Sequence, residues 1–344
     1  MSAAIGRPGL IRAGVFFAAL IVIPLVGAPG FVVNTLIFTV MYAALASAWN
    51  LVGGYAGYPS LGHVAFFGIG AYSIGLMFSK SVYGGYLPFL VLPVIGIAVG
   101  LLAVPIGWVS MRTRADVFAI VTITVLFIVQ TLAFNLKGLT GGAQGTSVAP
   151  APFGVDQYEW PFYFAMVVLL ALAMGISLYF RRSKIGLSLA TVRADEDKAH
   201  GVGVRVTAVK LIAFSVSAGL VAMLGGVWAY YVGFIYPQFA VDPLITIGMV
   251  LMAFLGGRGT LWGPVLGAFI LVPAQEFFAQ ALGASQLYLF AYAAVFLIII
   301  LFLPRGILPS VTERLRRRRD GALEATSLGI DSAVTARRDV KVER

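Results

Sequence analysis

A chain of 344 residues in which 60% are hydrophobic and 11% are charged is not expected to be a soluble domain, because soluble domains carry about 25% charged residues. The net charge of +10 does not indicate a nucleic-acid partner, because the basic cluster Arg314–Arg319 follows the last apolar segment, as a membrane topology anchor does. The absence of cysteine excludes disulfides, thiolate catalysis and cysteine-ligated metals. Two distant histidines, His63 and His200, argue against a histidine-built metal site.

The apolar runs predict an all-α integral membrane protein. They are near 20 residues long and continuous rather than alternating, and a lipid-embedded backbone must satisfy its polar groups within a helix or a closed barrel. We therefore predict about ten transmembrane helices, at 10–28, 32–51, 61–79, 87–109, 116–135, 161–180, 208–234, 244–257, 263–282 and 286–303. The first run is predicted to be a span rather than a cleaved signal peptide, because the second run follows it at once.

The basic residues predict the orientation. With the N-terminus inside, every Lys and Arg except Lys80 and Lys137 falls on the cytoplasmic side, which is the side that such residues mark. Both termini are therefore predicted to be cytoplasmic. The chain divides into an N-terminus at 1–9, a transmembrane domain at 10–308 and a basic, disordered tail at 309–344.

Two glycine-rich stretches, 53–75 and 256–267, interrupt this pattern. Interrupted helices at membrane depth are tolerated where they are buried in protein or line a cavity. Interrupted or short helices are therefore predicted here. The eighth and ninth spans are either full spans or broken or re-entrant helices, and the third span is also glycine-rich. The loop at 136–160 is rich in Gly, Pro and small polar residues, which predicts turns without regular structure.

The segment 181–210 is a charged island in which 10 of 30 residues are charged, against seven between residues 13 and 180. Such a segment must lie in water. Ser183 is predicted to cap a helix at 186–200, in which Arg193 and Asp197 are spaced for an i,i+4 ion pair. Glycines at 201 and 203 are predicted to end it. Two interpretations remain open, an ordinary solvated loop and a helix that docks into a soluble partner.

Four stretches carry a resemblance to a known family. They are GGYAGYPSLGHVAFFGIGAY (53–72), GLTGGAQGTS (138–147), SLATVRADEDKAHGVGVRVTAVKLIAFSVSA (188–218) and FLGGRGTLWGPVLGAFI (254–270). In this order they resemble the branched-chain amino acid ABC transporter permeases, of the LivM type. The resemblance covers roughly residues 30 to 308.

The resemblance implies a permease subunit of a binding-protein-dependent importer in the bacterial cytoplasmic membrane, carrying branched-chain or related amino acids. Its implied partners are two cytoplasmic ATPase subunits that bind ATP and Mg, a second homologous permease and a soluble substrate-binding protein. The loop 181–207 would then hold the coupling helix. The candidate coupling residues are Leu187, Ala190, Arg193, Ala194, Asp195, Glu196, Asp197, Gly201 and Gly203. The chain has no G-x-x-x-x-G-K-[ST] loop, so it is not expected to be an ATPase or to hold a cofactor or metal itself.

A second set of residues is a candidate border of the translocation path. Its members are polar groups or glycines near membrane depth: Asn50, Gly53, Gly54, Ser60, Gly62, His63 and Glu276. Polar side chains at this depth often mark pathways. The favoured alternative is a structural role, in which Ser60 caps a helix, His63 makes an interfacial hydrogen bond and Glu276 pairs with a neighbouring helix or reaches the interface.

Two departures from the family pattern, Thr146 after Gly145 and Arg258 in the glycine turn, leave the ligand open. The alternatives within the importer class are urea, amides and other amino acids. A self-sufficient secondary transporter or channel would need several intramembrane acids, whereas Glu276 stands alone. A membrane enzyme would need a cluster of catalytic polar residues, which the sequence does not indicate.

Overall fold

The computed structural model describes residues 7–25, 27, 29–79, 84–154, 157–282, 294, 297 and 306–313. Within these residues the regular structure is helical apart from two short strands. The helices are α1 (Arg7–Leu25), α2 (Gly30–Trp49), α3 (His63–Phe78), α4 (Leu87–Ser110), α5 (Ala115–Asn135), α6 (Lys137–Thr140), α7 (Glu159–Arg182), α8 (Lys184–Ala194), α9 (Glu196–Gly201), α10 (Val206–Val232), α11 (Pro237–Ala240), α12 (Pro243–Gly256) and α13 (Gly263–Leu282). A π-helical turn, Leu51–Ala56, continues α2, and the strands are β1 (Thr146–Ser147) and β2 (Phe234–Ile235).

The structure confirms an all-helical membrane protein. Six helical segments of the described residues are long and apolar enough to cross a membrane, namely Gly30–Ala56, Leu87–Ser110, Ala115–Asn135, Glu159–Arg182, Val206–Val232 and Pro237–Gly256. Ile11–Pro24 and His63–Phe78 are shorter apolar helices. The ninth predicted span, 263–282, coincides with α13. The tenth, 286–303, lies outside the described residues except for two positions.

Helix α10 is the central element, and it packs against α3 and α4 through glycines. A Cβ atom added at Gly219 would crowd the backbone of Gly96, and one at Gly225 would overlap the carbonyl of Phe67. Helices without side chains at the contact approach to backbone distance, which is the main source of packing energy in lipid. This arrangement holds α10, the helix that follows the charged island, in a fixed position between α3 and α4.

The long helices alternate in direction, so their connections lie at two ends of the bundle. At one end, here called the loop end, lie the α4–α5, α7–α10 and α12–α13 connections and the π-helical turn. At the opposite end the Ala149 N–H donates to Phe78 O at 3.0 Å and the Val148 N–H to Gly233 O at 2.9 Å, while β1 pairs antiparallel with β2. The prediction of an irregular loop at 136–160 was therefore wrong in part. That segment also contains α6 and a short 3₁₀ turn at Gly142–Gln144.

Candidate functional site

The charged island forms two helices rather than the single helix predicted over 186–200. Ser183 caps α8 as predicted, and its Oγ accepts from the Gly186 N–H at 3.4 Å. Asp195 is extended, with φ −166° and ψ 113°, and its carboxylate caps α9 by accepting from the Lys198 N–H at 3.0 Å. An acidic residue whose side chain caps a new helix interrupts the old one. The predicted helical i,i+4 pair between Arg193 and Asp197 is therefore wrong, because the two residues lie on different helices.

The two short helices have a buried inner face and an exposed outer face. Leu189, Val192 and Ala199 are buried against the bundle, whereas Leu187 is 62% exposed and Val202, just after α9, is 74% exposed. The exposed candidates Arg193, Ala194, Asp197, Gly201 and Gly203 belong to the outer face, while Ala190 is half-buried. Gly203 ends the segment with φ +81°, which favours glycine. Leu187 and Val202 therefore expose large apolar side chains on an otherwise charged segment.

Arg193 joins the outer face to the end of α2. Its Nη1 donates to Gly54 O at 2.7 Å, and its stem lies against Gly57, which has φ +77°. Burial and the neighbouring Arg258 lower the pKa of Arg193, but a guanidinium remains charged in proteins. A Cβ added at Gly259, which has φ +76°, would overlap Nη1. Glycine is therefore required where this guanidinium passes between the two turns.

Asn50 joins the two glycine-rich stretches directly. Its Nδ2 donates to Thr260 O at 2.9 Å, and its Oδ1 accepts from the Gly259 N–H at 2.8 Å. A Cβ added at Gly54 would overlap this amide, and one at Gly53 would overlap the Trp49 ring. The stretches 53–75 and 256–267 thus face each other across a single buried side chain. A π-helical turn at such a place is a common feature of functional sites.

The candidate path residues Ser60, Gly62 and His63 are packed inside the protein and do not face an open cavity. Ser60 and His63 are fully buried. The Trp49 Nε1–H donates to Ser60 O at 2.8 Å, and a Cβ added at Gly62 would overlap Thr122 O. This packing favours a structural role for Ser60 and Gly62. The predicted helix cap by Ser60 is wrong, because the N-cap of α3 is Gly62 and has no side-chain cap hydrogen bond. The role of both residues at the path stays a prediction.

The His63 ring is fixed by a chain of two hydrogen bonds. The Ser217 hydroxyl donates to Ala48 O at 2.7 Å, so it accepts from His63 Nε2, which lies 2.8 Å away. The proton is thereby assigned to Nε2. Nδ1 then has no hydrogen-bond partner among the described residues, and Phe66 and Phe214 stand edge-on to the ring. His63 is a buried neutral link between α2, α3 and α10.

Glu276 lies apart from these contacts. It is half-buried on α13 and has no ion-pair partner among the described residues. Elsewhere, an open apolar groove of about 1060 Å³ runs between α4, α7 and α10. None of the predicted path residues lines it.

A buried ion pair beneath the charged island was missed by the sequence analysis, although Glu196 was among the candidates. Lys210 Nζ donates to Glu196 Oε1 at 2.7 Å and to Met111 O at 3.0 Å, and it lies 4.0 Å from the centre of the Tyr58 ring. The Tyr58 hydroxyl donates to the other oxygen of Glu196. The signal was present, because Lys210 lies inside the predicted span 208–234, and a lysine at membrane depth needs a partner.

The electrostatics of this group keep the Glu196 carboxylate charged. Burial raises the pKa of Tyr58, and the Glu196 carboxylate raises it further, so the phenol stays protonated as a donor. For Glu196, burial acts upward, but the hydrogen bonds from Lys210 and Tyr58 outweigh it and lower the pKa. The carboxylate is therefore ionised at neutral pH and accepts hydrogen bonds at both of its oxygens.

The fold and these contacts define a multi-span membrane protein with a charged two-helix loop at one end, and comparison with known sequences identifies its family. The profile of the family described as branched-chain amino acid transport system / permease component matches residues 31–303. The chain belongs to this family. The high-affinity branched-chain amino acid transport system permease protein LivM of Salmonella typhimurium strain LT2 is 28% identical over 307 residues, covering 81% of this chain and 70% of that one. LivM of Escherichia coli K12 is 26% identical over 313 residues, covering 83% and 71%.

A more distant relative covers a shorter stretch. The autoinducer 2 import system permease protein LsrC of Salmonella paratyphi B is 30% identical over 140 residues, 40% of this chain and 38% of that one. No solved structure gives a significant match.

Proposed function

We propose that this chain is the membrane permease subunit of a binding-protein-dependent ABC importer for branched-chain or related amino acids. It forms part of the translocation path in a bacterial cytoplasmic membrane, and separate ATPase subunits that bind ATP and Mg power it. The observation that carries this proposal is the structure of the α8–α9 loop. Its outer face exposes apolar side chains, and on the other side it contacts the π-helical turn, the α12–α13 turn and α10. Family membership supplies the class of substrate.

The distribution of charge supports ten spans with both termini and the α8–α9 loop in the cytoplasm. The loop end of the bundle holds Arg112, Arg114 and Arg258 together with the charged island, whereas Lys137 lies at the opposite end. Basic residues mark the cytoplasmic side. The domain limits follow from this, with the permease domain at 10–308 between a short cytoplasmic N-terminus and a basic tail.

Four partners follow from the proposal. Two ATPase subunits receive the α8–α9 loops, one from this chain and one from a second homologous permease, and a soluble binding protein delivers the substrate to the opposite end. ATP binding closes the ATPase pair, moves the loops and rearranges the helices around the path. The residues assigned to the outer face of the loop, Leu187 and Arg193 among them, transmit that movement.

Co-purification from the native membrane in mild detergent tests the proposal. We expect two ATPases and a second permease to accompany the chain, and the reconstituted complex to take up leucine only with ATP and the binding protein. Uptake of urea or an amide in place of leucine would support the importer class and assign a different substrate to it. A chain that is purified alone and carries solute without ATP would be a secondary transporter or channel, and the proposal would be rejected.

A further inference from the structure

The α8–α9 loop has two separate attachments to the bundle, and they lead to different helices. Arg193, near the end of α8, reaches the π-helical turn and the α12–α13 turn. Glu196, the first residue of α9, reaches Lys210 on α10 and Tyr58 before α3. Only the extended residue Asp195 and Ala194 separate these two side chains in sequence. A displacement of the loop is therefore divided between two groups of helices at this point.

The second attachment is a closed set of directional contacts. Lys210 is fully buried, whereas the Glu196 side chain is 31% exposed. The three ammonium donors are directed at Glu196, at the carbonyl of Met111 just after α4 and at the face of the Tyr58 ring. Tyr58 in turn stands edge-on to Phe118 of α5, with ring centres 5.6 Å apart. One lysine thus connects α9 to α4 and α10, and Tyr58 extends the connection to α5.

Stability alone does not explain a lysine at this place. Breaking a buried ion pair is costly, but replacing the whole pair by apolar residues is often neutral, so such a pair is weak evidence for a stabilising role. What the polar contacts supply is direction, because each fixes an angle as well as a distance. An apolar contact between α9 and the bundle would let the short helix slide or rotate.

We propose that Lys210 and Tyr58 are positioning residues for energy coupling, which carry the movement of α9 at Glu196 into α4, α5 and α10. This inference rests on the proposed function, since it assigns the route by which the α8–α9 loop moves the helices. It assigns a second route to Arg193, toward α2, α12 and α13. Both Lys210 and Tyr58 are buried, so neither lies on the outer face of the loop.

The test uses the full importer in proteoliposomes, with leucine as the transported probe. We measure leucine taken up per ATP hydrolysed. Lys210→Met is expected to keep ATP hydrolysis and to lower this ratio about fivefold or more, the range of a typical coupling free energy. Tyr58→Phe, which keeps the ring and removes only the hydroxyl, should lower it less. The matched control is Lys137→Met, the same substitution at an exposed lysine of the opposite end, with an unchanged ratio.

A second variant separates positioning from folding. In Glu196→Gln with Lys210→Met no buried charge is left unpaired, so the complex is expected to assemble, yet the ratio should stay low. A ratio equal to wild type in this double variant and in Lys210→Met would overturn the proposal, even if the importer itself is confirmed.

A distance measurement tests the connection without transport. Because the chain has no cysteine, spin labels can be attached at Lys198→Cys on α9 and Arg112→Cys after α4 in an otherwise unlabelled chain. We expect one narrow distance distribution, which Lys210→Met broadens. A distribution that Lys210→Met leaves unchanged would overturn the proposal. Failure of the wild-type complex to take up leucine with ATP would reject the proposed function instead, and the label distances would still report whether α9 is fixed.

Discussion

The two ends of the helical bundle are built from different interactions. At the opposite end, the buried ring of Phe162 contacts Tyr230 and Tyr231 with centres 5.2 Å apart in each case, and neutral backbone hydrogen bonds join the strands. At the loop end, charged and polar contacts are added to apolar packing, with Glu196 and Lys210 at the centre. Aromatic packing is stabilised by buried apolar area, whereas a charge-assisted hydrogen bond depends on the charge and the presence of each partner.

This difference predicts that the loop end, rather than the opposite end, responds to the ATPase. The loop end is expected to be sensitive to charge, to pH and to the loss of single hydrogen bonds, and it carries the surface proposed to meet the ATPase. The opposite end is expected to respond to the loss of packing alone. The following substitutions test that contrast, beginning with the largest effect.

Phe162→Ala at the opposite end is expected to cost about 3 to 5 kcal/mol of stability, because it leaves a cavity among several rings. The measurement is thermal unfolding of the purified chain in detergent. The loss should be the same at pH 7 and pH 4, and the surviving complex should keep its leucine-to-ATP ratio. A change in that ratio would show that the opposite end also takes part in coupling.

Glu196→Gln at the loop end is expected to cost about 3 kcal/mol, because it leaves the buried Lys210 ammonium without its counter-charge. Lys210→Met should cost less, since the remaining Glu196 carboxylate is partly exposed and keeps the Tyr58 hydroxyl. The same unfolding assay compares them. The opposite order of the two losses would contradict the buried position of the lysine.

The lowered pKa of Glu196 predicts a dependence on pH. A carboxyl whose pKa is lower in the folded state stabilises the fold fully above its ordinary value of 4.5, and this contribution is lost as the pH falls through the lowered value. Below pH 4.5 the unfolding temperature of the wild type should therefore fall more steeply than that of Glu196→Gln. Parallel curves for the two proteins would show that Glu196 is not hydrogen-bonded in the folded chain.

Ser183→Ala is expected to cause the smallest loss of stability, about 0.5 kcal/mol, which is the lower end of the range for a lost helix cap. It removes the acceptor of the Gly186 N–H and leaves Arg193 and Glu196 in place. Unfolding in detergent should detect the shift, and the leucine-to-ATP ratio should not change. Loss of coupling in this variant would mean that the start of α8, rather than its end, transmits movement.

The spans were largely predictable from the sequence, whereas the contacts at the loop end were not. Bilayer thickness sets the length of an apolar run, so the limits predicted for the ninth span coincide with α13 and those of the fourth differ from α4 by one residue. Ser183 was predicted as a cap because capping depends on neighbours in sequence.

The contacts that join distant segments follow no local rule. Asn50 and Gly259 are 209 positions apart, and Lys210 meets a carbonyl 99 positions away. The break at Asp195 was missed because Arg193 and Asp197 have the spacing of a helical ion pair, and only the bundle shows that Arg193 instead binds Gly54. Exposure on one face of a short helix is likewise set by what packs against the other.

The central claim, that the α8–α9 loop rather than the opposite end meets the motor, can be tested by site-specific cross-linking in the assembled importer. A photoreactive residue at Leu187 or Val202 is compared with one at Leu139, which is 53% exposed at the opposite end. The claim predicts a cross-link to the ATPase from Leu187 and Val202 and none from Leu139. A cross-link from Leu139 alone, or none from the loop in an importer that still transports leucine, would contradict it.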